Sequence, residues 1–350
     1  MYDLYDRILG CLVTAGMGDG IGAPTEAMSY AEILDKYGRI EDFVDGSTNL
    51  VALGNVPGEI TDDASQMYEM AKAVIATKGW LTTEAAADAL LEWTKNWPRY
   101  YPRNAGPTAR FVLEKILEGE DPVAYAKMGG MYQRGTSNGA AMRVAAAGLC
   151  NPGDIDGALE TAIIMTKVSH GTQHAYAGAC AISCGIAAAL KEDSTVHSVI
   201  KACVYGAKKG EKRGIEEART ASGARLIPKI MKAISIAYDS ENMEHAERML
   251  DEEMGTDSSA MTQAVAIAIG LFVAADGNCK KTILGGANVG GDTDTIACIA
   301  GMLAGAFEGY HALPNDWKQL FKEANPQLDL EWAAKELTDI AKEKYGKNAF

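Results

Sequence analysis

The sequence predicts an all-α protein arranged as an orthogonal bundle of helices. Apolar residues recur at helical spacing along most of the 350 residues, strand-like alternation is scarce, and many helical segments are rich in Ala and Gly. Small residues let helices pack closely. An alternating α/β fold would need apolar strands between the helices, and none is evident.

The first half of the chain contributes six predicted helices. The second of these follows the polar cluster Thr61-Asp62-Asp63, and the third begins at Thr83-Glu84, a plausible N-terminal cap, and ends before Trp97-Pro98. Residues 40–53 are rich in Gly, Asn and Asp, so we predict a loop there, with short strand pairing as the alternative. The six helices are predicted over residues 5–17, 64–77, 83–95, 107–117, 139–149 and 155–168.

The second half contributes seven more. The first of them, over residues 176–190, is so apolar and Ala-rich that we expect it to be buried on all sides. Ser194 is the expected cap of the next helix. The segments 227–238 and 242–254 are amphipathic. The seven helices are predicted over residues 176–190, 196–207, 227–238, 242–254, 259–274, 295–308 and 330–342.

Composition limits the partners and the compartment. The chain is 47% hydrophobic and 23% charged, which is typical of globular proteins. A net charge of -14, with no concentrated basic segment, argues against nucleic acid as a partner. Residues 1–7 lack the features of a signal peptide and no apolar run is long enough for a bilayer, so no membrane association is expected. The seven cysteines lie mostly among Ala, Val and Ile, which predicts reduced thiols in a cytoplasmic protein.

Two acidic clusters carry the strongest functional signal. Thr61-Asp62-Asp63 and Asp292-Thr293-Asp294-Thr295 each place two carboxylates and at least one hydroxyl beside a predicted helix. Such hard oxygen ligands suit Mg²⁺, Mn²⁺ or Ca²⁺. The alternative is ordinary capping, because Thr and Asp are favoured at helix N-termini. It is weaker for the second cluster, since Gly285, Gly286, Gly290 and Gly291 permit a tight turn that lets both carboxylates converge.

The charge of these clusters also helps to decide between metal binding and helix capping. Four carboxylates buried together would raise one another's pKa and would be very costly without cations. Two divalent ions would neutralise them. If the clusters meet in space, the sequence therefore predicts a site for more than one cation.

Two glycine-containing segments are further candidates. Gly18–Glu26 ends in a potentially reachable carboxylate, but it also fits the end of a helix followed by a turn, and no strand precedes it as a dinucleotide-binding motif requires. Thr136–Arg143 begins with small residues whose backbone N–H groups suit a phosphate. The alternative there is an ordinary capped helix with Arg143 in a structural ion pair.

Histidines and aromatic residues complete the candidates. His170 lies at a predicted helix break, where it would donate to a phosphate, and His174 follows four residues later; a lone His is more often structural. The segment 93–111 is rich in aromatic residues and Arg. It would either wall a cleft for a base or sugar or form a packed loop with extended arginines.

Taken in order, these segments resemble the motifs of the ADP-ribosylglycohydrolase family, which includes the dinitrogenase-reductase-activating glycohydrolases. The resemblance runs from about Arg7 to Tyr310, and its most specific part is residues 290–306. Each earlier motif is weak alone, whereas the ordered set is strong. The matching segments are Gly18–Glu26, Thr61-Asp62-Asp63, Ser137–Arg143, Ser169-His170 and Gly290–Thr295.

The resemblance implies an all-α domain with a dinuclear Mg²⁺ or Mn²⁺ centre. Glu26 matches the family's mobile catalytic glutamate, and Asp62 and Asp294 are the other candidate catalytic residues. Because residues 26, 61–63 and 292–295 come from both ends of the chain, residues 1–350 are expected to form one domain. The implied metal ligands are Thr61, Asp62, Asp63, Asp292, Asp294 and Thr295. The implied contacts to ADP-ribose phosphates are Ser137, Asn138, Gly139, Ala140 and His170.

The implied reaction is hydrolysis at the anomeric carbon of a ribose, through an oxocarbenium-like transition state. The cations would orient the ribose hydroxyls and lower the pKa of a bound water, to ~7 in the best zinc case and less far for Mg²⁺ or Mn²⁺. A cation-bound Asp or Glu26 would relay the proton. The expected substrate is an ADP-ribosylated protein or a small ADP-ribosyl or ribosyl compound.

Two departures from the family pattern leave the substrate open. Ser169-His170 stands where family members usually have Thr-His, and no acidic residue occurs between Trp93 and Leu113, where some members have one. The acceptor would be arginine, serine or a small molecule. One alternative function is hydrolysis of a nucleoside or other ribosyl compound without the ADP portion. Another is a non-enzymatic role, as in lens J1-crystallins, which the intact acidic set argues against.

Overall fold

The computed structural model describes residues 3–129, 134–255 and 259–346, and these ranges form an all-α fold, as predicted. Among the described residues the only strand-type pairings are two isolated bridges, Ser137 with Ala260 and Thr172 with Arg219. Short 3-10 turns cover Ala23–Thr25, Asn138–Ala140 and Tyr310–Ala312. The helices are α1 (Leu4–Gly22), α2 (Tyr30–Tyr37), α3 (Asp62–Ala76), α4 (Thr83–Asn96), α5 (Pro107–Leu117), α6 (Pro122–Ala126), α7 (Ala145–Leu149), α8 (Ile155–Lys167), α9 (Gln173–Ala189), α10 (Val196–Glu217), α11 (Leu226–Asp239), α12 (Met243–Met254), α13 (Met261–Ala274), α14 (Cys279–Asn288), α15 (Thr293–Glu308), α16 (Asn315–Ala324) and α17 (Leu330–Tyr345).

Helices α1 and α15, from opposite ends of the chain, pack tightly along each other in the core. Glycines make the close approach of the two backbones possible. A Cβ atom on Gly18 would lie 2.3 Å from the carbonyl oxygen of Ala297, and one on Gly22 would lie 2.4 Å from that of Thr293. This contact brings the end of α1 against the start of α15, where the second acidic cluster lies.

Helix α9 is buried along its whole length, as its composition predicted. It packs between α8 and α10 and also contacts α7, α13 and α15. Its N-terminus follows His170, so this buried helix fixes the position of the histidine loop. All seven cysteines are buried free thiols, in agreement with the expectation from their neighbours.

Several predicted element boundaries were wrong. The segment Gly18–Gly22 is not a loop, because α1 continues to Gly22 and its glycines serve helix packing. Residues 139–149 form a 3-10 turn and the short helix α7 rather than one helix. Thr195, not Ser194, caps α10 through a capping box. Residues 40–53 are a loop, and no strand pairing occurs there.

Four helices were missed by the sequence reasoning: α2, α6, α14 and α16. Helix α2 is short and amphipathic, and Ser29 and Glu32 form its capping box. Helix α14 includes Gly285 and Gly286, which the sequence suggested as part of a turn. Within the described residues, no helix is long and apolar enough to cross a membrane.

Candidate active site

The N-termini of α3 and α15 meet, and this brings the two acidic clusters together. Thr61 and Asp292 occupy the N-cap positions, but neither side chain makes the capping hydrogen bond to its own helix. The Thr61 hydroxyl donates instead to Asp19 Oδ1 at 2.7 Å, and it lies 3.4 Å from Asp294 Oδ2. Ordinary capping therefore does not account for these residues.

The carboxylates form two groups that share Asp294. In one group, oxygens of Asp19, Asp63 and Asp294 lie within 4.8 Å of one another. In the other, oxygens of Glu26, Asp292 and Asp294 do the same. We call Asp19, Glu26, residues 61–63 and residues 292–295 the acidic wall.

Asp62 lies outside the two groups of carboxylates, whereas the Thr295 side chain forms a hydrogen bond with Asp292. Asp62 Oδ2 accepts a hydrogen bond from Gln66 Nε2 at 3.0 Å. Both Asp62 and Thr295 nevertheless line the large cavity next to the acidic wall. Of the six residues expected to bind metal, Thr61, Asp63 and Asp292 thus each lie close to Asp294.

Burial raises the pKa of every carboxyl group in the acidic wall, and repulsion between the groups adds to the effect for all except Asp19. Burial and the charge of Asp294 raise the pKa values of Glu26, Asp62 and Asp63 well above their ordinary values. The same two causes raise the pKa of Asp292 to about 8. The fold thus holds more carboxylates together than can ionise at neutral pH without a positive partner.

The residues present fit divalent cations. Asp63 Oδ1 and Glu26 Oε2 are buried and have no hydrogen-bond partner, and such orphaned acceptors are costly in a folded protein. Carboxylate and hydroxyl oxygens are the ligands that Mg²⁺ and Mn²⁺ prefer. A cation would satisfy the free oxygens and offset the repulsion.

Two backbone hydrogen bonds connect the Glu26 segment to the loop before α15. Ala27 N–H donates to the carbonyl of Gly291, and Gly291 N–H donates to that of Met28, both at 2.8 Å. Gly290 and Gly291 have φ values of +86° and +79°, so they provide the turn expected of them. Glu26 is thereby held beside Asp292 and Asp294.

Asp19 is a site residue that the sequence reasoning missed. It is fully buried on α1 and accepts hydrogen bonds from the backbone N–H groups of Thr61 and Ala64. It therefore caps α3 from another helix and orients the first acidic cluster. Burial raises its pKa to about 6. The available signal was a lone acid among glycines in an otherwise apolar helix.

The facing side of the cavity carries the segment predicted to bind phosphate. Ser137, Asn138 and Gly139 line the cavity with His170, whereas Ala140 is buried and does not. Asn138 Nδ2 donates to Asp292 Oδ2 at 2.7 Å, which connects this side to the acidic wall. We call Ser137, Asn138, Gly139, Arg143, Ser169 and His170 the hydrogen-bonded wall.

Arg143 is the buried centre of the hydrogen-bonded wall. It donates to Gln66 Oε1 at 2.6 Å and to the hydroxyl of Ser169, and its Nη2 lies 3.4 Å from Nδ1 of His170. These partners are neutral, so the structural ion pair considered for Arg143 is not formed with any described residue. Burial lowers its pKa to about 10, which leaves it charged at neutral pH.

The two walls enclose a cavity of about 720 Å³, large enough for a ligand of nucleotide size. Trp93, Trp97 and Tyr100 are buried in the core and do not line it. The aromatic rings of segment 93–111 therefore do not wall the cavity, while polar residues of that segment line it. Other lining residues include Arg103, Asn104, Arg134, His174 and Lys229.

Comparison with known proteins identifies the family. The family model described as ADP-ribosylglycohydrolase matches residues 1–347. The chain belongs to this family. The resemblance seen in the motifs is thereby confirmed.

Relatives and a solved structure extend over nearly the whole chain. An uncharacterised Escherichia coli protein, YegU, is 28% identical over 93% of this chain and 94% of its own length. The ADP-ribosyl-[dinitrogen reductase] glycohydrolase of Rhodospirillum rubrum is 26% identical over 90% of each chain. A solved structure titled ADP-ribosylglycohydrolase-related protein complex has a TM-score of 0.69 at 20% identity, covering 97% of this chain and 99% of its own, and so has the same fold.

Proposed function

We propose that this ADP-ribosylglycohydrolase family member is a divalent-cation-dependent glycoside hydrolase. It would cleave the bond at the anomeric carbon of ribose in an ADP-ribosylated protein side chain or a small ADP-ribosyl conjugate. The observation that carries this proposal is that Asp63 and Asp292 both lie close to Asp294, at the meeting point of α3 and α15. The name of the Rhodospirillum rubrum relative supports the ADP-ribosyl part.

The acidic wall is proposed to bind two divalent cations, Mg²⁺ or Mn²⁺. Cations of this kind supply Lewis acidity, which orients ribose hydroxyls and lowers the pKa of a coordinated water. The unpartnered oxygen of Asp63 and the raised carboxyl pKa values support this assignment. We further propose one domain over residues 1–350, because both ends of the chain supply this wall. The proposed ligands are Thr61, Asp62, Asp63, Asp292, Asp294 and Thr295.

Glu26 is proposed to move the proton of the reaction. Its Oε2 has no hydrogen-bond partner, the residue lines the cavity, and its pKa is raised by burial and by Asp294 and Asp292. A raised pKa lets a carboxyl group hold a proton near neutral pH and give it to a leaving group. Asp62 and Asp294 are the other candidates for accepting a proton from the attacking water.

The hydrogen-bonded wall is proposed to hold the phosphates of ADP-ribose. Ser137, Asn138, Gly139 and His170 line the cavity, and Ala140 is the buried last residue of the same 3-10 turn. The ribose would then lie between this wall and the acidic wall, with its anomeric carbon near Glu26. Oxygen-rich ligands suit this side because hydroxyl, amide and ring N–H groups donate to them.

The test is turnover on ADP-ribosylated arginine, ADP-ribosylated serine and small ADP-ribosyl conjugates. We expect release of ADP-ribose from at least one substrate with Mn²⁺ or Mg²⁺ and none after chelation. Turnover that persists after complete removal of divalent ions would refute the cation assignment. Absence of turnover on the whole panel with metal would refute the proposed reaction.

A thermal-shift series with ADP-ribose, AMP and ribose, with and without Mn²⁺, tests the ligand separately. We expect ADP-ribose with Mn²⁺ to raise the melting temperature most, since a ligand stabilises the fold it binds. A shift with ribose but none with ADP-ribose would favour hydrolysis of a ribosyl compound that lacks the ADP portion.

A further inference from the structure

Four side chains of the hydrogen-bonded wall form a continuous chain of polar contacts. Arg143 donates to the Ser169 hydroxyl, Ser169 Oγ lies 2.8 Å from His170 Nδ1, and His170 Nε2 lies 2.9 Å from Ser137 Oγ. Arg143, Ser169 and His170 are buried, and Ser137 ends the chain at the cavity. Because each contact has one donor and one acceptor, the donor in one contact restricts the donor in the next.

Arg143 fixes which atom donates at its end of this chain of hydrogen bonds. A guanidinium can only donate, so the Ser169 oxygen accepts from Arg143. The single Ser169 proton is then free to be donated to His170 Nδ1. A proton on Nδ1 would instead face Arg143 Nη2, a donor, at 3.4 Å. Nδ1 of His170 is therefore the acceptor in both contacts.

The protonation of His170 then determines which atom donates in its contact with Ser137 at the cavity. Burial and Arg143 lower the pKa of His170 well below 6.5, so the ring is neutral and carries one proton. With Nδ1 accepting, that proton is on Nε2 and is donated to Ser137 Oγ. The proton of the Ser137 hydroxyl is then left to point into the cavity.

We propose that Arg143 and Ser169 are positioning residues that fix the tautomer of His170 and so make Ser137 a hydrogen-bond donor to the ligand. The group that binds the Ser137 proton must then offer an acceptor atom, such as an anionic phosphoryl oxygen. This ligand assignment rests on the proposed function, whereas the tautomer does not.

The backbone is shaped around the same histidine. A Cβ atom on Gly139 would lie 3.2 Å from both Cε1 and Nε2 of His170, so the missing side chain lets the 3-10 turn lie against the ring. Asn138 N–H donates to the carbonyl of Ser259 at 2.9 Å and fixes the turn from the other side. Ser137 therefore cannot move away from His170 without disturbing the turn.

The decisive measurement is a long-range ¹H–¹⁵N spectrum of the ligand-free protein labelled with ¹⁵N-histidine. The chain has five histidines, and the signal of His170 is identified by its loss in His170→Gln. We expect His170 to be neutral at pH 7 with its proton on Nε2. A proton on Nδ1, or a charged ring, would overturn the proposal whatever the protein hydrolyses.

Variants at Ser169 separate positioning from mere packing. Ser169→Ala removes the donor to Nδ1, so we expect a mixture of His170 tautomers and ADP-ribose binding weaker by about fivefold, the size of one neutral hydrogen bond. Ser169→Thr keeps the hydroxyl and should restore both properties. Ser183→Ala, which removes another buried hydroxyl that bonds a backbone carbonyl, is the matched control and should change neither.

A double-variant cycle tests whether Ser169 acts through Ser137. Ser137→Ala should weaken ADP-ribose binding by a similar factor, and Ser169→Ala added to it should cause little further loss. Fully additive losses, or an unchanged tautomer in Ser169→Ala, would contradict the relay. If wild-type protein does not bind ADP-ribose at all, the proposed function fails, and the tautomer spectrum still decides the relay.

Discussion

The acidic wall and the hydrogen-bonded wall face the same cavity, but they are stable for different reasons. In the acidic wall, Asp63, Asp292 and Asp294 have like charges, and Asp63 Oδ1 is left without a partner. In the hydrogen-bonded wall, Arg143 and His170 are equally buried but make directed contacts with neutral groups. The comparison shows that the fold holds one polar surface together by directed hydrogen bonds, while the other gathers carboxyl groups whose repulsion must be relieved by protonation or by a cation.

The largest expected effect comes from Asp294, the carboxylate common to both acidic groups. Asp294→Asn should lower turnover by about 10³-fold or more, the loss seen when a main electrostatic contact to the reacting group is removed. In chelator it should raise the free energy of unfolding, because one buried like charge disappears. Steady-state kinetics and denaturant unfolding measure the two effects, with exposed Asp193→Asn as control. Loss of stability in chelator would contradict our account of the acidic wall.

A backbone change should disturb the acidic wall without altering its charges. Gly22→Ala would place a Cβ 2.4 Å from the carbonyl oxygen of Thr293 and push the start of α15 away. We expect the free energy of unfolding to fall by about 1–3 kcal/mol, together with weaker protection by Mn²⁺. Gly129→Ala, where the new atom would make an ordinary contact at 3.8 Å, is the control. Full Mn²⁺ protection in Gly22→Ala would show that this contact does not position the site.

Asn138 connects the two walls, so its removal tests how far they depend on each other. Asn138→Ala loses the hydrogen bond to Asp292 Oδ2, and we expect about tenfold weaker Mn²⁺ binding, as for other residues that orient metal ligands. Calorimetric titration with Mn²⁺ measures the change. The His170 tautomer should stay as in wild type. If Asn138→Ala changed the His170 tautomer and left Mn²⁺ binding normal, Asn138 would act on the hydrogen-bonded wall and not on the acidic wall.

The two walls should also give opposite pH dependence of stability in chelator. Asp292 has a folded pKa of about 8 against an ordinary 3.8, so the folded state binds more protons and stability falls as pH rises from about 4 to 8. His170 has a folded pKa well below 6.5, so stability falls as pH drops below about 6.5. Each group contributes at most ~1.4 kcal/mol per pH unit.

Variants assign these two slopes. Asp292→Asn should flatten the loss of stability as the pH rises from about 4 to 8, and His170→Gln should flatten the loss below about pH 6.5. Denaturant unfolding in chelator across pH 5 to 8 provides the measurement. Saturating Mn²⁺ should remove the slope caused by Asp292, because a bound cation keeps the carboxylates ionised. An Asp292 slope that survives saturating Mn²⁺ would speak against a cation at that residue.

Sequence reasoning located the acidic clusters because several Asp and Thr residues together beside a helix are uncommon. It predicted the all-α class from the helical spacing of apolar residues. It did not predict that Gly18–Gly22 is helical, because five residues with three glycines suggest a loop by local preference. Tertiary packing against α15 overrides that preference. It likewise missed helix α14, whose Gly285 and Gly286 allow close packing rather than a turn.

The sequence by itself determined the fold class and the family and predicted a set of oxygen ligands, since these depend on residue types in a fixed order. Only the tertiary structure decided that Asp19 caps α3 from another helix, that Arg143 bonds neutral partners, and that Trp93, Trp97 and Tyr100 are in the core. These facts depend on contacts between residues far apart in the chain, and helix packing sets such contacts. The direction of the hydrogen bonds from Arg143 to Ser137 likewise depends on the tertiary structure. Four side chains from two distant segments must meet before the position of each proton is defined.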